Sequence, residues 1–202
     1  MADGAGGGYR ALVGELAGLV RLAHAALRGA TAALTGPAGG DGVPAAERAL
    51  AELRSRIEED AAGTLGGRAG VVAGVHVGCG AEALGQLAQR LLEAAWARRE
   101  RDPFDEPLLA PLRGVADSAL DSVSRAADVL ESGAPGSIAD VLTESHDIGQ
   151  RQRLLYELLL RAEEADPVDA ADLVLLSCCY RQCADHAGAI ARYAGLFAHA
   201  AV

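Results

Sequence analysis

The chain has 202 residues, half of them apolar but only 3% aromatic, and its 28 acidic against 18 basic residues give a net charge of −10. This length makes one domain or two small ones, with a core of Ala, Leu and Val, and the excess of helix formers over strand formers points to an all-α fold. The acidic balance disfavours nucleic acid, whose phosphates call for a basic face, and equally disfavours docking on anionic lipid.

Helical periodicity marks six elements. The first covers residues 9–34, with Leu12, Leu16, Leu19, Ala23 and Leu27 on one stripe. Residues 35–44, rich in Gly and Pro, read as a loop. The second element covers 45–65, with Leu50, Leu53, Ile57 and Ala61 inward, and Gly66 and Gly67 end it. The third covers 69–98, with Val77, Leu84, Leu87 and Leu91 as its seam. Its glycines, Gly70, Gly74, Gly78 and Gly80, each cost up to about 1 kcal/mol relative to Ala and leave room for a neighbouring helix to approach closely.

The charged segment 98–107, with Pro103 and Pro107, reads as a boundary between two halves, 1–101 and 102–202. The fourth element covers 107–131, through Leu112, Ala116, Leu120, Val123 and Leu130. Ser137 reads as the N-cap of the fifth, with Asp140 in the N3 place of a capping box, and that helix runs to 164. Asp166 caps the sixth, with Pro167 at its first position and Asp169 in its first turn. Leu173, Leu176, Tyr180, Cys183, Ala187, Ile190, Ala194 and Phe197 form its seam.

The third and sixth elements repeat one another. Gly80–Arg90 aligns with Cys179–Ala189, so that Glu82 meets Arg181, Leu84 meets Cys183, Gln86 meets Asp185, Ala88 meets Ala187 and, beyond them, Leu91 meets Ile190. A duplicated unit of about a hundred residues follows. With short connections making neighbours antiparallel, the expected architecture is a tandem pair of antiparallel three-helix bundles.

These segments resemble the PhoU family of bacterial phosphate-signalling proteins, a tandem of two three-helix bundles. The third helix of each bundle there carries a motif of the type Glu-Arg-hydrophobic-Gly-Asp-His/Leu-Ala. Ala-Asp-His-Ala at 184–187 fits the second copy, and Glu82, Leu84, Gly85, Leu87 and Ala88 fit the first. Residues 50–61 resemble the family's second helix; Asp147-Ile148 followed by Leu-Leu-Tyr-Glu-Leu at 154–158 resembles its fifth. The resemblance spans nearly the whole chain. It implies a cytoplasmic, non-enzymatic regulator whose partners are the ATPase of a phosphate ABC transporter and a phosphate-responsive sensor histidine kinase. A homodimer is compatible with it.

Some family members hold iron, zinc or manganese clusters on the motif's i, i+4 acids. Here the first pair reads Glu82 and Gln86 and the second Arg181 and Asp185, and Ala51 and Gly149 stand where acids are expected on the second and fifth helices. One acid of each pair is gone, and several converging carboxylates are needed to hold such a cation. No resident cofactor is therefore expected, and any residual metal binding falls to Glu82 or Asp185.

Cys179, Cys183 and His186 share a helix face, and with Cys79 and His76 they outline a zinc site. Small buried cysteines on a core seam are the simpler reading. The neighbours Asp185 and His186 point about 100° apart and lack a nucleophile, so catalysis is not expected. Arg98–Arg101 reads as a polar linker or as a basic cluster for an acidic partner patch. Glu58-Glu59-Asp60 and Glu163-Glu164 read as solvated faces. No apolar run approaches the ~18 residues of a spanning helix, and residues 1–8 lack a signal-peptide pattern. The expected location is the cytoplasm, with Cys79, Cys178, Cys179 and Cys183 as reduced thiols. Two other functions fit the same residues: a metal-binding helical bundle, or a structural adaptor that kept the fold and lost the phosphate pathway.

Overall fold

Six helices follow one another along the chain in the computed structural model, which describes residues 3–36, 42–64, 68–162 and 165–200. They are α1 (Asp3–Thr35), α2 (Val43–Thr64), α3 (Arg68–Ala97), α4 (Glu106–Ser132), α5 (Pro135–Arg161) and α6 (Pro167–Ala200). No strand occurs among the described residues, and the fold is all-α. The expected break at Gly66 and Gly67 and the acidic pair Glu163-Glu164 lie outside the described residues, as do the side chains of Ala61, Glu58 and Asp60.

Helix ends follow backbone chemistry. α4 closes on Gly133, whose φ of 61° is left-handed and whose N–H donates to the Val129 carbonyl at 2.8 Å. α6 starts as expected: the Asp166 carboxylate accepts from the Val168 N–H at 2.8 Å, and the Asp166 carbonyl accepts from the Ala170 N–H. The start of α5 departs from expectation. Ser137 is not its N-cap; the helix begins at Pro135 with Ala134 before it, and no side chain caps it. Proline presets the helical φ and needs no donor in the first turn, so it nucleates ahead of the serine. α5 also stops at Arg161, where Ala162 leaves helical geometry.

Burial repeats along the chain with a fixed displacement for each helix pair. In α1 and α4 it is 96 positions: Leu12 and Leu108, Leu16 and Leu112, Leu19 and Val115, Ala23 and Ala119, Leu27 and Val123 are all buried. In α2 and α5 it is 98: Val43 and Val141, Leu50 and Ile148, Ile57 and Leu155. In α3 and α6 it is 99: Val77 and Leu176, Leu84 and Cys183, Ala88 and Ala187, Leu91 and Ile190.

α2 and α5 thus bury one residue in seven, a narrow stripe that marks peripheral helices. α1, α3, α4 and α6 bury broad faces and form the centre. α1, α2 and α3 pack together, as do α4, α5 and α6, and α1 with α4 and α3 with α6 join the two sets into one continuous apolar cluster.

Three contacts fix that junction. A Cβ on Gly80 would lie 2.9 and 3.1 Å from Ile190 Cγ1 and Cδ1, so α3 meets α6 at a position only glycine leaves open. The buried Tyr180 hydroxyl of α6 donates to Thr31 Oγ1 of α1 at 3.0 Å, meeting the need of a buried polar group for a partner. The segment between α3 and α4 is tied down as well. Arg98, its side chain only 10% exposed, donates to Asp169 at 2.9 Å and Asp172 at 2.8 Å and stacks over Phe104, 3.4 Å from the ring centre. Arg101 joins the same two aspartates at 2.7 and 3.1 Å. The acidic patch that meets this basic cluster therefore lies within the chain, on α6.

One sequence reading needs correction. Residues Gly70–Ala97 of α3 are long and apolar enough to cross a membrane by length and composition, because Val, Leu and Ala predominate over few charged residues. Half of an 18-residue apolar window within that stretch is buried against the rest of the fold.

Candidate functional site

The two peripheral helices each leave a groove against a central one, and the sequence-predicted residues fall into these two grooves. In the first, between α2 and α3, Glu82 is ion-paired with Arg54 across the helices. Ala51, Arg48, Glu47 and Gln86 line the cavity around them, about 410 Å³ in volume. Ala51 is exposed on α2 and brings no ligand atom. Both partners of the ion pair are partly exposed, so it contributes at most about 1 kcal/mol to stability. Its local effect is to engage the Glu82 carboxylate with a fixed cation.

The second groove, between α5 and α6, holds the matching positions. Arg181 stands where Glu82 does, Gly149 where Ala51 does and Gln152 where Arg54 does. Arg181 lies across α5 so closely that a Cβ at residue 149 would collide with its Nη1. Glycine is what lets the guanidinium rest there. Arg181 Nε donates to Asp185 Oδ1 at 3.1 Å, and Ser145 Oγ donates to the same oxygen at 3.5 Å. The expected Glu82 thus lines the first groove and Asp185 lies at the edge of the second, each beside an arginine, and they are not brought together. Among the described residues no three His, Cys, Asp or Glu side chains are placed to hold a metal ion.

The imagined zinc cluster separates in space. His76 stacks flat on Tyr193, with ring centres 4.1 Å apart. Cys79 is exposed, whereas Cys183 is buried on the α6 seam. Burial pushes the Cys183 and Cys179 thiols above their usual range, which opposes the thiolate that zinc requires. Asp185 does not orient His186; its carboxylate is taken by Arg181 and Ser145, and burial holds the half-buried His186 below the ordinary imidazole range.

A polar cluster escaped the sequence reading. Gln152 Nε2 donates to Ser177 Oγ at 3.2 Å and approaches Cys178 Sγ at 3.7 Å. The Tyr156 hydroxyl lies 3.3 Å from Ser177 Oγ and 3.4 Å from Cys178 Sγ, and Ser177 donates to the Val174 carbonyl at 2.8 Å. Burial, followed by the contact with Cys178, raises the Tyr156 pKa above the usual phenol range. The available signal was the polar pair Ser177-Cys178 inside an otherwise apolar α6 seam, opposite Gln152 and Tyr156 at i, i+4 on α5. The cluster is a satisfied network, and two of its members, Gln152 and Tyr156, line the second groove.

That groove, about 480 Å³, is lined by His146, Gly149, Gln150, Gln152, Arg153, Tyr156 and Arg181. Its lining carries two guanidinium groups and no carboxylate, unlike the first groove, where Glu47 and Glu82 face Arg48 and Arg54. No protein-family model matches the chain, and no curated protein matches it.

Proposed function

We propose that this chain is a regulator of the PhoU type that acts by docking on other proteins. The observation that carries the reading is a coincidence of two registers. The residues that fit the family's paired motif, Glu82 with Gln86 and Arg181 with Asp185, lie 99 positions apart. The buried positions of α3 and α6 repeat with that same displacement. Each motif pair therefore sits at the same level of its own helix, beside a peripheral helix whose buried stripe also repeats.

In this reading the partners are the ATPase subunit of a phosphate ABC transporter and a phosphate-responsive sensor histidine kinase. The protein works in the cytoplasm and restrains uptake and signalling when phosphate is plentiful. It acts by binding and performs no chemistry of its own. The exposed side chains Leu154, Leu158 and Leu160 of α5 offer apolar contact area for such docking. The reading calls for no resident metal, since Arg54 and Arg181 engage the two surviving motif acids.

Deleting the gene tests the proposal. Phosphate uptake, or expression of phosphate-responsive genes, should rise in phosphate-rich medium and return to normal on complementation. Unchanged uptake and expression would reject it. The metal-binding alternative has no observation in its favour among the described residues.

A further inference from the structure

We propose that the groove between α5 and α6 binds a small phosphate-bearing anion, either free inorganic phosphate or the phosphate group of a small monoester. The inference rests on the groove's own chemistry and stands whether or not the regulatory reading holds.

Its lining is a set of donors. Arg153 projects from α5, is exposed at the groove and has no ion-pair or hydrogen-bond partner among the described residues. Arg181 spends only Nε on Asp185, and its terminal nitrogens lie at the groove, against Gly149. His146 and Gln150 add further donor groups from the same helix and have no partner among the described residues. On α5 the residues 146, 149, 150 and 153 recur at i, i+3, i+4 and i+7, one face of a helix, so all of them address one volume. The inner wall, Gln152 and Tyr156, is held by its bonds to Ser177 and Cys178.

Phosphate suits this arrangement better than a monocarboxylate. Its oxygens span three dimensions and can accept from two guanidinium forks approaching from different helices, whereas one planar carboxylate fills one fork. A cavity of about 480 Å³ exceeds what a bare ion needs and leaves room for a small organic group. The Asp185 carboxylate lies at the edge, held by Arg181 Nε and Ser145, and so does not cancel both cations. The matching groove in the other half is an internal control. There Glu82 and Glu47 offset Arg54 and Arg48, so the lining carries no surplus of cations for an anion.

Calorimetric titration of the full chain with inorganic phosphate, and separately with glycerol 3-phosphate, at constant ionic strength tests this. Saturable one-site binding of at least one probe is expected below about 10 mM. Saturation by phosphate alone assigns the free ion, by the ester alone a monoester, and by both the shared group. The double variant Arg153→Gln/Arg181→Gln should weaken binding at least about tenfold with unchanged helicity by circular dichroism, since both side chains lie at the surface. Arg48→Gln, in the control groove, should leave it within about twofold. Absence of saturable binding with both probes overturns the proposal. So does a double variant that binds as the parent does, or an Arg48→Gln variant that loses as much as the double variant.

Discussion

Gly80→Ala is expected to destabilise the protein, against the ordinary rule for helices. In an unobstructed helix interior the change should stabilise by about 1 kcal/mol, through lower chain entropy in the unfolded state and better propensity. At Gly80 the added methyl meets Ile190 Cγ1 at 2.9 Å and Cδ1 at 3.1 Å. Ile190 is 1% exposed and cannot swing into solvent, so α3 and α6 must separate or Ile190 must leave its rotamer. Overpacking of this kind costs about 1–3 kcal/mol, giving a net loss of up to about 2 kcal/mol. Ile190→Ala removes both colliding atoms and costs about 2–5 kcal/mol alone. In that background Gly80→Ala should turn stabilising by about 1 kcal/mol. A double-mutant cycle read by denaturant unfolding should thus give a coupling of about 1–3 kcal/mol, or several degrees in melting temperature. A stabilising Gly80→Ala in the parent, or a coupling below about 0.5 kcal/mol, would show that α3 and α6 do not meet here.

Leu84→Asp should cost several kcal/mol, because it places an unpartnered carboxylate at a fully buried position, whereas the exposed Gln86→Ala should change stability by less than about 0.5 kcal/mol; melting curves of the two variants separate these outcomes. Arg98→Ala should lower stability by about 1–3 kcal/mol, since it leaves Asp169 and Asp172 short of a cation and uncovers Phe104; stability matching the parent would show the network to be inert. Burial holds His24 and His186 below their ordinary pKa of 6.5, so the folded state takes up protons less readily than the unfolded one. Their contribution is complete above pH 6.5 and is lost as pH falls through the folded-state values. A stability profile between pH 7.5 and 5 should therefore slope downward on acidification and flatten in His24→Gln/His186→Gln. Elemental analysis of protein purified without chelator should find far less than one transition metal per chain. Stoichiometric metal lost in Glu82→Ala or Asp185→Ala would contradict this.

Helix placement was legible because stripes such as Leu12, Leu16 and Leu19, or Leu84, Leu87 and Leu91, can be buried only by a helical period. The start of α6 was legible in Asp166-Pro167 for the same local reason: a capping acid followed by a residue with preset φ. The start of α5 was misread because two local signals compete there. Pro135 fixes the backbone before Ser137 can cap it.

What depends on tertiary proximity could not be read along the chain. Gly80 shows its purpose only beside Ile190, and the basic run at 98–101 only beside Asp169 and Asp172. The repeat gave the positions of Glu82 and Asp185, but their arginine partners differ. Arg54 comes from a neighbouring helix, which local spacing cannot reveal, while Arg181 is at i−4 on the same helix. The donor-lined groove was hidden because His146, Gln150 and Arg153 each read singly as ordinary surface.

Docking on phosphate-transport and phosphate-sensing proteins is the central claim. It is tested most directly by cross-linked affinity capture of the tagged chain from its own cells grown in high phosphate, with bound proteins identified by mass spectrometry. The transporter's ATPase subunit or the sensor kinase should be enriched over a capture with an unrelated acidic helical protein. Capture of neither, from cells in which both are expressed, would contradict it.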